Sequence, residues 1–153
     1  MSEHRKEVRL AREAYRAALA GKWESVGRHL RRLNDECGGT GINTGLIAWC
    51  DTYIDHATDG EMVPTKSRPA FITVETGELG YQGSPDVPAS VQWAGRLLVA
   101  RAAMDETTWR ALIDELPADN GWEVGSYVTA VLECVALTVN SLPRGFARMG
   151  REP

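Results

Sequence analysis

The sequence has few cysteines, few lysines and no long apolar run. Its three cysteines show no repeated spacing, which argues against a disulfide framework and favours reduced thiols. No apolar leader follows the first residues, and the longest apolar stretch, residues 127–142, is interrupted by Glu133 and Asn140. We therefore expect a cytoplasmic protein with no membrane partner.

The composition is that of one globular domain over residues 1–153, with 43% hydrophobic and 25% charged residues. The net charge of −4 conceals a strong asymmetry. Residues 1–32 carry a net charge of +5, residues 33–143 carry −11, and the last ten residues carry +2. Both ends of the chain are basic, including a tail at 143–153, and such a layout matters for the choice of partner.

Hydrophobic periodicity predicts an all-α fold. The six predicted helices cover about residues 3–20, 23–37, 42–58, 89–104, 105–116 and 122–141. Between the third and fourth helices, residues 59–88 hold four prolines and four glycines, and AFITVETGELGYQ within them favours a short β-hairpin. The predicted architecture is a compact bundle of about six helices with this hairpin. The fourth and sixth helices are apolar nearly all round, which is more apolar surface than one subunit can bury. We therefore expect a homodimer that covers the remaining apolar surface.

The glycine-rich stretch ECGGTGINTG separates the second and third predicted helices. A phosphate-binding loop would need a strand before it, and here the preceding residues have a helical period. We interpret Gly38 or Gly39 as a left-handed helix stop and Thr40 as the next N-cap.

Metal binding and catalysis have little support in the spacing of residues. The side chains of ligand type near the third helix show no CxxC or HxxxH pattern: Cys37, Cys50, Asp51, Asp55 and His56. Asp51 and Asp55, one helical turn apart, would be the pair to share a cation, but acidic pairs are more often solvated. We predict no metal and no cofactor. If the protein is an enzyme, His56 and Glu133 are the candidate catalytic residues, in a pocket beside the 59–88 segment.

Arginines form the most distinctive pattern. Four share one face of the first helix and three lie on the outer side of the second: Arg5, Arg9, Arg12, Arg16, Arg28, Arg31 and Arg32. Together with tail arginines such as Arg144, they could follow a nucleic-acid backbone. A basic face that docks on an acidic partner or a second copy fits equally well, and a solvated charged face is the plainest interpretation.

Two resemblances accompany these patterns. The segment AYRAALAGKWESVGRHL, residues 14–30, resembles one helical unit of a tetratricopeptide-type repeat, with no second copy in the chain. The segments VQWAGRLLVARAAMDETTWRALIDELP and YVTAVLECVALTVNSLPRGFARMG resemble all-helical actinobacterial proteins to which no activity is attached. The resemblance implies a bacterial helical protein and no particular reaction.

The sequence therefore favours a helical protein-interaction or regulatory module that acts by binding, as a homodimer or with another protein. The alternatives are a nucleic-acid-associated protein that uses the arginines, and a small enzyme or ligand-binding protein.

Overall fold

A computed structural model of the chain describes residues 2–60, 88–116 and 121–146. Every regular element in these ranges is an α-helix, which confirms the all-α class. The helices are α1 (Ser2–Leu19), α2 (Trp23–Thr58), α3 (Ala89–Ala102), α4 (Glu106–Asp114) and α5 (Gly121–Ser141). The predicted β-hairpin lies outside the described residues.

The connection between α1 and α2 is a tight helical turn. Gly21 has a positive φ of 74°, the N–H of Lys22 donates to the carbonyl of Ala17, and the N–H of Gly21 donates to that of Ala18. This pair of hydrogen bonds is the Schellman arrangement, which satisfies the last carbonyls of a helix. The break predicted at Gly21 is confirmed, and it turns α2 back along α1.

The described residues form five helices where six were predicted, because the second and third predicted helices are joined in α2. Its 36 residues are interrupted only at Gly38, where φ is 68° and ψ is −160°, a conformation that is essentially restricted to glycine. Gly38 was one of the two glycines predicted as a left-handed stop. Thr40, predicted as an N-cap, lies inside the helix that resumes directly after Gly38, and its side chain makes no hydrogen bond with the described residues.

Gly38 divides α2 into a first arm, residues 23–37, and a second arm, residues 39–58. A Cβ placed on Gly45 would lie 3.4 Å from Cδ2 of Leu33, whereas an unbroken helix would separate these residues by about 18 Å. The two arms therefore lie side by side. The absence of a side chain at Gly41 and Gly45 permits this close approach.

The second arm of α2 lies at the centre of the bundle. Its buried residues from the break onward include Ile42, Leu46, Trp49, Cys50, Tyr53, Ile54 and Ala57. The indole N–H of Trp49 donates to the carbonyl of Ala11 in α1 at 3.0 Å, and the hydroxyl of Thr44 donates to Glu7 at 3.0 Å. The second arm thus fixes the inner face of α1 and leaves its arginines on the opposite side.

Two tryptophan N–H groups hold α4 in place. Trp93 of α3 donates to the carbonyl of Leu112 at 2.8 Å, and Trp109 of α4 donates to Oδ1 of Asn43 at 3.0 Å. The predicted N-cap Asp105 is confirmed, since its carboxylate accepts from the backbone N–H of Thr108 at 3.1 Å.

The apolar helix α5 packs against α1, α2 and α3. It buries Val128, Val131, Leu132 and Val135 within the bundle. Near its end, the amide of Asn140 donates to the carbonyl of Leu19 at 3.0 Å, so α5 closes over the α1–α2 turn. The chain then continues along the end of α2, where it meets His56.

Candidate binding surface

The outer face of α1 is a row of exposed arginines. Arg5, Arg9, Arg12 and Arg16 are all exposed, and their spacing of four, three and four residues keeps them within about 60° around the helix. The buried residues Leu10 and Ala14 point the other way. Burial of the apolar face against the second arm of α2 therefore presents this row to solvent.

A second group of arginines lies on the first arm of α2. Arg28, Arg31 and Arg32 are exposed, as the sequence predicted. Arg28 donates to the hydroxyl of Ser25 at 2.8 Å, and Nε of Arg32 donates to Glu36 at 2.8 Å. We call the seven arginines on α1 and this arm the arginine face.

Two side-chain contacts join α1 to the first arm and mark the seam between them. Nζ of Lys6 lies 2.7 Å from Oε1 of Glu36. Nδ1 of His29 lies 3.6 Å from Oε2 of Glu13, too far for a hydrogen bond, so this contact acts as an ion pair only when the imidazole is protonated. Both pairs sit beside the arginines, and they align the two helices.

Lys6 and Arg32 together perturb Glu36. Their hydrogen bonds, that of Lys6 first, lower the pKa of the Glu36 carboxyl from its usual 4.5 to about 2. Glu36 is consequently ionised at any ordinary pH, and its single negative charge offsets part of the positive charge of Lys6 and Arg32.

Most of the arginine face has no such partner. Arg5, Arg9, Arg12, Arg16 and Arg31 form no ion pair or side-chain hydrogen bond with the described residues, and Arg28 contacts only a neutral hydroxyl.

Arginines elsewhere in the described ranges behave differently, because each has a carboxylate partner. Arg96 pairs with Glu115, Arg110 with Glu106 and Arg101 with Asp51, whereas Arg144 bridges Asp55 and Asp59. The unpaired positive charge of the described chain is thus concentrated on one surface. Sequence position grouped Arg144, as part of the basic tail, with these unpaired arginines. In the structure it is paired with two aspartates and is not one of the unpaired arginines.

His56, a candidate catalytic residue, takes part in a clasp between α2 and the chain after α5. Its Nε2 lies 2.8 Å from the carbonyl of Leu142 and must carry a hydrogen to bond it, while its own carbonyl accepts from the N–H of Gly145 at 2.6 Å. Phe146 packs against its ring, with centroids 6.3 Å apart. One bond satisfies a carbonyl near the end of α2 and the other a carbonyl directly after α5, and together they give His56 a structural role.

Glu133, the other candidate, is exposed on α5 and forms no hydrogen bond or ion pair with the described residues. The structure therefore brings His56 together with Leu142 and Phe146, and not with Glu133. A shared acid–base site would require both groups to reach one reacting atom.

The residues of metal-ligand type are also separated. Asp51 accepts two hydrogen bonds from Arg101, at 2.7 and 3.1 Å, while Asp55 pairs with Arg144, so each aspartate has a different arginine partner. Cys50 is buried, and burial above all raises the pKa of its thiol. Among the described residues, no group of three or more His, Cys, Asp or Glu is arranged to hold a metal ion.

One described helix is long and apolar enough to cross a membrane: residues 123–141 of α5 have a mean hydropathy of 1.3. The core helix of a bundle passes the same test, and Val131, Leu132 and Val135 of this stretch are fully buried. Its exposed positions include Glu133 and Asn140.

Comparison of the chain with protein-family models, curated proteins and solved structures found no match. The charges and contacts of the chain itself are therefore the basis for a functional proposal.

Sequence spacing identified the arginine face, because helical periodicity places these residues on one side. It missed the pairing of Arg101 and Arg144, whose partners lie 50 or more positions away in the chain. One local signal did point to the Arg144 pairs: Asp55 and Asp59 lie at the C-terminal end of α2, where the helix dipole favours a positive charge.

Proposed function

We propose that the protein is a non-catalytic binding module whose arginine face docks an acidic segment of another protein. One observation supports the proposal most strongly: in the described residues, the arginines outside this face are all ion-paired, whereas six of the seven within it lack a carboxylate partner.

Unpaired like charges on one surface repel each other, and this lowers the stability of the folded chain. An anionic partner removes that repulsion and is steered towards the surface during association. Arginine suits such a surface, because its planar guanidinium binds a carboxylate through two parallel hydrogen bonds.

The predicted homodimer is not part of this proposal and stays a prediction. It was inferred from surplus apolar surface on what are now α3 and α5. Both helices bury much of that surface within the chain, through residues such as Trp93, Leu97 and Leu132. The large hydrophobic side chains left exposed among the described residues are Trp23, Val91, Met104 and Leu137.

The proposal can be tested by measuring the binding of polyglutamate to the native protein and to R9E/R12E. Two reversed charges should weaken binding at least about tenfold at low salt. Binding to the native protein should also fall between about 0.01 M salt, where the Debye length is about 30 Å, and about 1 M, where it is about 3 Å.

The matched control is R96E/R110E, which changes net charge by the same amount at two exposed ion pairs outside the face. It should bind polyglutamate nearly as well as the native protein. Equal losses in the two variants would show a net-charge effect and overturn the proposal. Binding of duplex DNA in preference to polyglutamate would overturn it in favour of the nucleic-acid alternative.

A further inference from the structure

The spacing of the arginines on α1 is that of a helix that faces another helix. Arg5, Arg9, Arg12 and Arg16 follow each other at four, three and four residues, the alternation of four and three by which a heptad repeat keeps one side of a helix aligned with a neighbouring helix. The row extends over twelve residues, and the eleven intervals between them span about 16 Å. A partner helix of about three turns would cover it.

An apolar border runs along one side of this row. Val8, Tyr15 and Leu19 are half-buried, and about 100° per residue places them within roughly 80° of the arginines, on the side away from the first arm of α2. Tyr15 and Leu19 pack on the core and still present part of their surface to solvent. Burial raises the pKa of the Tyr15 hydroxyl, consistent with this position.

The row and its border together present a charged strip beside an apolar strip, both in heptad spacing. An amphipathic helix with carboxylates beside leucines or similar side chains is complementary to both strips.

Exposed carboxylates argue against a uniformly negative partner. Glu24 and Asp35 lie among Arg28 and Arg31 around the first arm, and neither forms an ion pair with the described residues. A nucleic-acid backbone carries a phosphate at every step and would meet these carboxylates, whereas a helix carries charges only where its sequence places them.

We infer that the segment docked by the arginine face is an acidic amphipathic α-helix that lies along α1. Its carboxylates pair with Arg5, Arg9, Arg12 and Arg16, and its apolar side chains cover Val8, Tyr15 and Leu19. The inference rests on the proposed function and specifies the kind of partner.

Two synthetic peptides of identical composition test it against the full-length protein. The first has glutamates at the spacing of the four arginines on α1 and leucines at the spacing of Val8, Tyr15 and Leu19. The second has the same residues in scrambled order. The spaced peptide should bind at least about tenfold more tightly and should gain helical circular dichroism when bound, because only it presents all its contacts on one face.

A charge exchange locates the contact. The R9E/R12E protein should bind the spaced peptide weakly. It should regain most of the lost affinity towards a peptide in which the two glutamates opposite these positions are lysines. Thermal unfolding of R9E/R12E, measured in parallel, checks that the variant is folded. Tight binding of the lysine-exchanged peptide to R9E/R12E would be a second sign that it is folded.

The outcomes separate the two proposals. Equal binding of the spaced and scrambled peptides, both weakened in R9E/R12E, would overturn the helical partner and leave the acidic docking surface in place. No binding of either peptide, together with none of polyglutamate, would overturn both. Tight binding of the spaced peptide without rescue by the lysine exchange would also contradict the inference, because the contact would then lie elsewhere.

Discussion

His56 and Leu142, 86 positions apart in the chain, are joined by a hydrogen bond of 2.8 Å from the imidazole Nε2 to the backbone carbonyl. With the bond from the Gly145 N–H to the His56 carbonyl, it fastens the chain after α5 to the end of α2. The residue that sequence spacing selected as the best-placed acid or base is thus a connection within the fold.

The His56→Ala variant should lose about 1–2 kcal/mol of unfolding free energy, because the Leu142 carbonyl loses its donor. Polyglutamate binding should not change, since His56 lies outside the arginine face. Denaturant unfolding measures the first effect and calorimetric titration the second. A variant of native stability would show that the hydrogen bond contributes nothing, and weakened binding would place His56 in the docking site.

The Gly38→Ala variant should be less stable than the native protein by about 1–3 kcal/mol, because alanine is strained at a φ of 68° and a ψ of −160°. Gly39→Ala is the matched control. A Cβ at either position meets no atom within 4 Å, but only Gly38 has a positive φ. Gly39→Ala should therefore be neutral or should stabilise the protein by about 0.5–1 kcal/mol. Equal effects on unfolding would contradict the break in α2 at Gly38.

The Glu36 carboxyl should titrate with a pKa of about 2 in the folded protein. Because this pKa is lowered, its contribution to stability is complete above about pH 4.5 and is lost as the pH falls towards 2. NMR titration of the side-chain carboxyl carbon measures the value. Lys6→Ala should raise the pKa, whereas Lys22→Ala, which changes an exposed lysine outside the seam, should leave it unchanged. An unperturbed native value would contradict the seam between α1 and the first arm.

The Arg101→Met variant should be destabilised by about 1–2 kcal/mol, because it leaves the partly buried carboxylate of Asp51 without its two hydrogen bonds. In the matched variant Arg96→Met, the lost ion pair with Glu115 is about half exposed and should be worth less than about 1 kcal/mol. Thermal unfolding of both variants measures the difference. A larger loss of stability in Arg96→Met than in Arg101→Met would show that partial burial does not make the Arg101–Asp51 pair the more stabilising of the two.

The helical part of the fold follows from local signals in the sequence. Amphipathic or apolar patterns predicted helix at each of the five described helices, although α2 was predicted as two, and the Gly21 turn and the Asp105 cap were predicted from residue types whose backbone preferences are strong. The sequence could not show that helical geometry resumes directly after Gly38, because that depends on how Leu33 packs against Gly41 and Gly45.

The site was predictable to a similar extent. Spacing alone placed the arginines on one face, since an α-helix repeats every 3.6 residues. Whether an arginine is paired depends on contacts between distant segments, such as Arg101 with Asp51 and Arg144 with Asp59. That distinction required the structure, and it separates the arginine face from the other described arginines.

The most direct test of the docking surface is an amide NMR titration of the native protein with polyglutamate at low salt. We expect chemical-shift changes in residues 5–16 and 28–32, absent from the R9E/R12E variant and retained in R96E/R110E. Changes centred on another surface, or none at polyglutamate concentrations that saturate the calorimetric signal, would contradict it.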